Sequence, residues 1–166
     1  VEKLNDMLKA QFNTDKKLVL SIKNYQVFFD TTAIEEANID YAAVKQSVVN
    51  RLKKEHDVHY AFDMEKTSTE SIPEQLKFRA INGYNRERSG GVQVVLNPAH
   101  YEYYSPKGTS HGAWNPYDIH IPCLFMGWHI QHGATTQPHF MTDIAATVCA
   151  LLHIQAPNGC IGTPIF

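Results

Sequence analysis

The residues best equipped for chemistry here are histidines, and they are unevenly placed. Seven of the nine (His100, His111, His120, His129, His132, His139 and His153) fall from position 100 onward, together with both tryptophans, Trp114 and Trp128. Ordinary charge nearly vanishes over the same stretch, which keeps only Lys107, Glu102, Asp118 and Asp143. Neutral imidazoles ligate metals and titrate near neutral pH. A segment rich in them and poor in other charge is either buried or works on something. His111 sits between glycines in Gly108-Thr109-Ser110-His111-Gly112, where the backbone can approach a ligand closely, and in a loop ahead of an apolar segment. Loops at strand ends are where proteins of mixed α and β structure place their sites. The competing reading is a plain surface histidine.

Asp118 and His120 stand two apart at the start of that apolar segment, so on a strand they would share a face. A carboxylate beside an imidazole is a familiar supporting pair for a metal ligand, or else a polar cap on a strand edge. His129 and His132 flank a turn and would hold a metal only with help from elsewhere. Arg86 and Arg88 precede Ser89-Gly90 and would meet a phosphate, or act as solvated turn charges. No close-set trio of His, Asp or Cys supplies the three protein ligands of a catalytic zinc. The chain also lacks GxGxxG, Walker A and HExxH patterns. The residues alone offer one good candidate ligand and no complete site.

These side chains need elements to position them. At 166 residues, 43% hydrophobic and 19% charged, with a formal net charge of −2, the chain is expected to form a single domain with its own core. That balance excludes a disordered tail and argues against nucleic acid as a partner, which would call for an excess of Lys and Arg. No apolar run is long enough for a membrane span. Cys123, Cys149 and Cys160 are too few for a disulfide framework and show no CxxC spacing.

Apolar spacing predicts a helix over 2–12 with Leu4, Met7, Leu8 and Phe12 on one face. Strands are expected at 18–22 and 25–29, hairpin-like about Lys23-Asn24. Asp40 should cap a helix carrying Val44, Val48, Val49 and Leu52. After a short strand over 59–63, Ser71-Ile72-Pro73-Glu74 fits a capping box for a helix with Leu76, Phe78 and Ile81, stopped by a left-handed Gly83. A strand follows over 91–96, then a long loop to Asp118. Ile119 to Trp128 is almost continuously apolar, as in a strand buried on both faces. A last helix, 143–153, should present Ile144, Val148, Leu151 and Leu152 inward, with Thr142 as its N-cap. The fold class is α/β with α+β character, about four to five strands and four helices.

The block from Gly108 through His111-Gly112-Ala113-Trp114-Asn115-Pro116-Tyr117-Asp118-Ile119-His120 to Ile121-Pro122 resembles the C-terminal part of the PafA-like, phosphate-irrepressible bacterial alkaline phosphatases. The resemblance continues through Leu124-Phe125-Met126-Gly127-Trp128, Met141-Thr142-Asp143-Ile144-Ala145, Leu151-Leu152-His153-Ile154-Gln155 and Pro157-Asn158-Gly159-Cys160-Ile161-Gly162. Asn24-Tyr25-Gln26-Val27 and Ile81-Asn82-Gly83-Tyr84 match in kind. Ala146 departs from the pattern, which usually has Pro there.

The resemblance implies a mixed sheet flanked by helices. It also implies a two-zinc site hydrolysing phosphate monoesters through a covalent phospho-threonine, or phospho-serine in some relatives, and a periplasmic or secreted location. His111 then corresponds to the last zinc ligand in chain order, and Asp118 and His120 support it without ligating. The nucleophile, the remaining ligands and the phosphate-gripping Lys and Arg would precede Val1. The chain is therefore expected to be a C-terminal fragment, inactive alone and unable to hold zinc properly without the missing N-terminal portion. Three alternatives stand: another hydrolase of the superfamily (phosphodiesterase, phosphonate hydrolase or sulfatase), a non-catalytic interaction domain of the same fold, or a homo-oligomer joined through an exposed sheet edge.

Overall fold

Two consecutive residues, Asn24 and Tyr25, take positive φ (49° and 60°) between strands β1 (Val19–Lys23) and β2 (Gln26–Phe29). Positive φ at both central positions is the requirement of a two-residue hairpin whose twist matches its strands, and the strands pair antiparallel as expected. The computed structural model describes residues 1–102, 107–108 and 111–166, so Thr109 and Ser110 of the glycine-flanked loop lie outside the described residues. The described chain forms two compact units, Val1–Ile121 and Pro122–Phe166.

In the first unit, β3 (Val58–Asp63) and β4 (Val92–Leu96) complete a four-stranded sheet of order β1-β2-β4-β3, antiparallel throughout. Alternation along the strands sends side chains to opposite faces. Val27, Ala61, Val92 and Val94 enter one core with Leu4 and Leu8 of α1 (Glu2–Phe12) and Val44, Val48, Val49 and Leu52 of α3 (Tyr41–Leu52). Ile34 of the short helix α2 (Thr31–Glu36) joins the same core. Phe62 and Val95 enter a second core with Met64 and with Leu76 of α4 (Glu74–Gly83).

Polar side chains tie these layers together. Asp40 caps α3 by accepting from the backbone N–H groups of Ala42 and Ala43. Buried Asn5 accepts from the Leu18 and Val19 amides and donates to the Val19 carbonyl, fastening α1 to β1. Lys45, with its side chain 3% exposed, pairs with Asp63 at 2.9 Å and also with Glu65, and its ammonium lies 4.7 Å from the Tyr41 ring centre.

Some local expectations give way. Pro73 occupies the N-cap of α4 and makes no side-chain cap, so Ser71 does not form a capping box. A Pro at the boundary sets the start of the helix by its fixed φ without an accepting oxygen. Gly83 is the last helical residue rather than a left-handed stop, and Tyr84 leaves the helix extended. Phe78 and Ile81 are exposed, leaving Leu76 as the buried anchor of α4.

In the second unit, α6 (Met141–Leu152) begins two residues earlier than expected, with Phe140 and not Thr142 at its N-cap. Its buried side is Asp143, Ala146, Thr147 and Cys149, while Val148 and Leu152 face outward. The reason lies beyond the helix. The Asp143 carboxylate accepts from the Phe140 and Thr163 amides, and Thr147 Oγ1 donates to the Asp143 carbonyl and accepts from the Ile165 amide. The terminal segment thus runs back along the polar side of α6 and covers it.

The expected strand over Ile119–Trp128 does not form. Ile119 ends a one-turn helix, α5 (Pro116–Ile119), and the residues after it carry no strand, with Leu124 91%, Met126 99% and Trp128 85% exposed. A strand buried on both faces needs neighbours for its backbone groups and cover for its side chains. Among the described residues no strand pairs with this segment, and its Phe125 meets Phe166 edge to face, with ring centres 5.3 Å apart.

Candidate functional site

His111 is exposed and lies in irregular backbone just ahead of α5, within the first unit. The segment on its C-terminal side is firmly held. Asn115 caps α5 and is buried, with its carbonyl accepting from the Asp118 and Ile119 amides. Trp114 packs on the second core, and the Arg79 guanidinium lies 5.5 Å from its ring centre. Gly112 has a φ of +97°, and a Cβ there would stand 3.9 Å from the Tyr25 ring. A side chain would fit that space, so it is the backbone conformation that favours glycine.

Gly112 to Asn115 form one wall of a cavity of about 200 Å³. Its other walls are Asn24, Tyr25 and Gln26 of the hairpin, Gln93 to Leu96 of β4, Met64, and Leu76, Arg79, Ala80 and Gly83 of α4. Tyr25 takes part through both ends. Its carbonyl accepts from the Val94 amide at 2.7 Å and from Gln93 Nε2 at 3.1 Å, and its hydroxyl accepts from the Glu102 amide. A non-glycine residue held at positive φ costs about 1–3 kcal/mol, and such residues cluster at sites. Neither Tyr25 nor Arg79 was among the expected site residues. Tyr25 reads in sequence as the start of a strand and as part of the Asn24-Tyr25-Gln26-Val27 match, not as a site residue, and nothing in an Arg on α4 announces a Trp 35 positions away.

Asp118 belongs to α5 and His120 is its C-cap (φ −90°, ψ 102°), so the two do not share a strand face. Asp118 is nonetheless unusual: its Oδ2 is buried and finds no hydrogen-bond partner among the described residues. An unsatisfied buried carboxylate oxygen is expensive, and such atoms mark places where a further partner belongs. His129 and His132 are exposed in the second unit, and neither joins a group of three metal-ligating side chains among the described residues. Arg86 and Arg88 are exposed turn residues; Arg86 contributes to holding the Glu65 carboxyl low, after the larger effect of Lys45. All three cysteines are free, with Cys149 buried and Cys123 exposed.

Against known proteins, no family model matches the chain. Curated relatives do. The chain is 44% identical over 99% of its length to alkaline phosphatase PafA of Elizabethkingia meningoseptica, and 46% identical over 96% to alkaline phosphatase PhoV of Synechococcus elongatus. The crystal structure of wild-type PafA superposes with a TM-score of 0.93 over 99% of the chain. The chain matches part of a PafA-like alkaline phosphatase. It spans about 30% of the length of these relatives. A protein of Myroides odoratus named a calcium-transporting ATPase is similar to the same extent, 42% identical over 98% of the chain. The likeness to PafA covers both the irregular His111 loop and the four-stranded sheet. No helix among the described residues is long and apolar enough to cross a membrane.

Proposed function

We propose that this chain forms the C-terminal portion of a zinc-dependent phosphomonoesterase of alkaline phosphatase type and contributes His111 as one zinc ligand. The observation that carries this reading is the likeness to PafA in both sequence and structure across nearly the whole chain. The fit of the group rests on the surroundings of His111: an exposed imidazole on a loop whose downstream end is pinned, and the orphaned Asp118 oxygen on the next helix. Zinc, when bound, supplies activation of the nucleophile and stabilisation of the leaving oxygen.

His111 offers one lone pair of a neutral imidazole. Asp118 and His120 act in support, holding that ligand side of the site in orientation rather than bonding the metal. The Tyr25, Arg79 and Trp114 cavity steadies the segment that carries His111. Since a catalytic zinc takes three protein ligands and this chain contributes one, the 166 residues alone are inactive and hold zinc there poorly. By the same reading the intact protein acts on phosphate esters outside the cytoplasm.

The test has two parts. The purified chain, assayed with an aryl phosphate and added zinc, should show no turnover. Turnover that His111→Ala abolishes would overturn the predicted inactivity. In a full-length protein carrying this segment, His111→Ala should lower both zinc content and kcat/KM. Asp118→Asn should cost about 10–100-fold, the range for outer partners of metal ligands. A panel of phosphate monoesters, diesters, phosphonates and sulfate esters then fixes the substrate class.

A further inference from the structure

His56, Asp57 and His100 come together at one end of the sheet, away from any motif in the sequence. His56 and Asp57 lie in the turn before β3, and His100 comes after β4. Because β3 and β4 are antiparallel neighbours paired Val58 to Leu96, the start of one strand and the end of the other meet. His56 Nδ1 is 3.0 Å and His100 Nε2 is 3.3 Å from Asp57 Oδ1. One ligand atom from each residue lies within 4.8 Å of the others.

We propose that these three side chains form a binding site for a divalent transition metal of the zinc class. Donors bound at about 2.0–2.1 Å in a tetrahedron stand about 3.3 Å from one another, so two of the three spacings are already close to those of an occupied site. Two imidazoles with one carboxylate suit zinc, cobalt, nickel or copper. Calcium and magnesium prefer an all-oxygen set.

The backbone that presents these groups is fixed from outside the cluster. Asn97 donates its amide to the Asp57 carbonyl at 2.9 Å and its side-chain nitrogen to the His56 carbonyl at 2.8 Å, and its own carbonyl accepts from the His100 amide. Ala99, at φ 66°, donates its amide to the Tyr117 hydroxyl at 2.8 Å. Side-chain rotation alone, chiefly of the exposed His56, closes the remaining spacing. Water completes the coordination, since all three residues are open to solvent at least in part. A metal here clips the turn after α3 to the segment after β4 and stabilises the first unit.

The experiment is a titration of the purified chain with Co²⁺ followed by its d–d absorption, paired with calorimetric titration of Zn²⁺ and with thermal melts. The wild type should take up about one equivalent with a tetrahedral or five-coordinate spectrum, melt at higher temperature with the metal, and ignore Ca²⁺. His100→Ala and Asp57→Asn should each weaken binding at least tenfold, because even outer partners of ligands are worth about 10–100-fold. His132→Ala should bind as the wild type does. Far-ultraviolet circular dichroism checks that each variant is folded. The proposal is overturned if the wild type binds no Zn²⁺ or Co²⁺, if folded His100→Ala binds unchanged, or if His132→Ala alone abolishes the spectrum. None of these results bears on the phosphatase reading, which is tested by turnover and by His111 in the longer protein.

Discussion

Lys45 shows what a single residue must do when it is taken out of water. Burial works against its charge, yet hydrogen bonds to Glu65 and Asp63 outweigh that penalty and hold its pKa above the ordinary lysine value. The same contact, first among the causes, holds the Glu65 carboxyl below the usual range. Lys45→Met leaves buried Asp63 without its partner and should destabilise the first unit by about 3–5 kcal/mol, the cost of breaking a buried pair from one side, read by urea unfolding. The signs come from linkage. Glu65, with its folded pKa depressed, stabilises above the ordinary carboxylate range, and its contribution is lost as the pH falls through the folded value. Lys45, with its pKa raised, stabilises below the ordinary lysine range and loses its contribution as the pH rises through the folded value. The deficit of the variant should therefore be greatest near neutrality and shrink on acidification. A deficit independent of pH would place the cost in lost packing instead.

Among the elements, those whose signals are local were legible in sequence and those whose partners are remote were not. Asp40 is followed by an apolar face at helical spacing, and α3 forms there with that cap. Two β-branched and aromatic runs flank the hairpin expected about Lys23-Asn24, and the turn closes one residue later, on Asn24 and Tyr25. The apolar stripe of α6 pointed the wrong way. Its buried side is set by Asp143 and Thr147, whose partners Thr163 and Ile165 come 20 and 18 residues later. The convergence of His56 and Asp57 with His100 required the β3–β4 register, which a single sequence does not reveal. Two tests address the α6 wrap. A Cβ at Gly162 would stand 2.0 Å from the Thr142 carbonyl oxygen, so Gly162→Ala should detach the terminal segment and raise amide exchange at Thr163 and Ile165 without unfolding α6. The Phe140 amide, then the Thr163 amide, hold the Asp143 carboxyl below its ordinary range. Its contribution is present above that range and lost as the pH falls through the folded value. Acid titration by NMR should thus move the Thr163 amide resonance toward its position in Asp143→Asn.

At the scale of the whole molecule, the decisive quantity is how much apolar surface the 166 residues leave uncovered. Ile121, Leu124, Met126 and Trp128 are each more than half exposed within one short irregular stretch. Such concentrations are unusual on a lone soluble protein, where large apolar patches mark contact surfaces or sites of aggregation. The sequence pattern of this stretch reads as a doubly buried strand, and the relatives it matches are more than three times longer than the chain. Pattern and exposure are reconciled if these residues are core residues only in the company of further polypeptide. The isolated chain should then bind a hydrophobic dye strongly and self-associate as its concentration rises. Replacing Leu124, Met126 and Trp128 with serine should suppress both while leaving the melting temperature within a degree or two, because side chains 85–99% exposed contribute almost no burial to lose. Light scattering with parallel thermal melts separates the outcomes. A marked fall in melting temperature would mean that the stretch packs in solution as the expected strand does, and unchanged association would move the adhesive surface elsewhere, with the outward Val148 and Leu152 of α6 the next residues to replace.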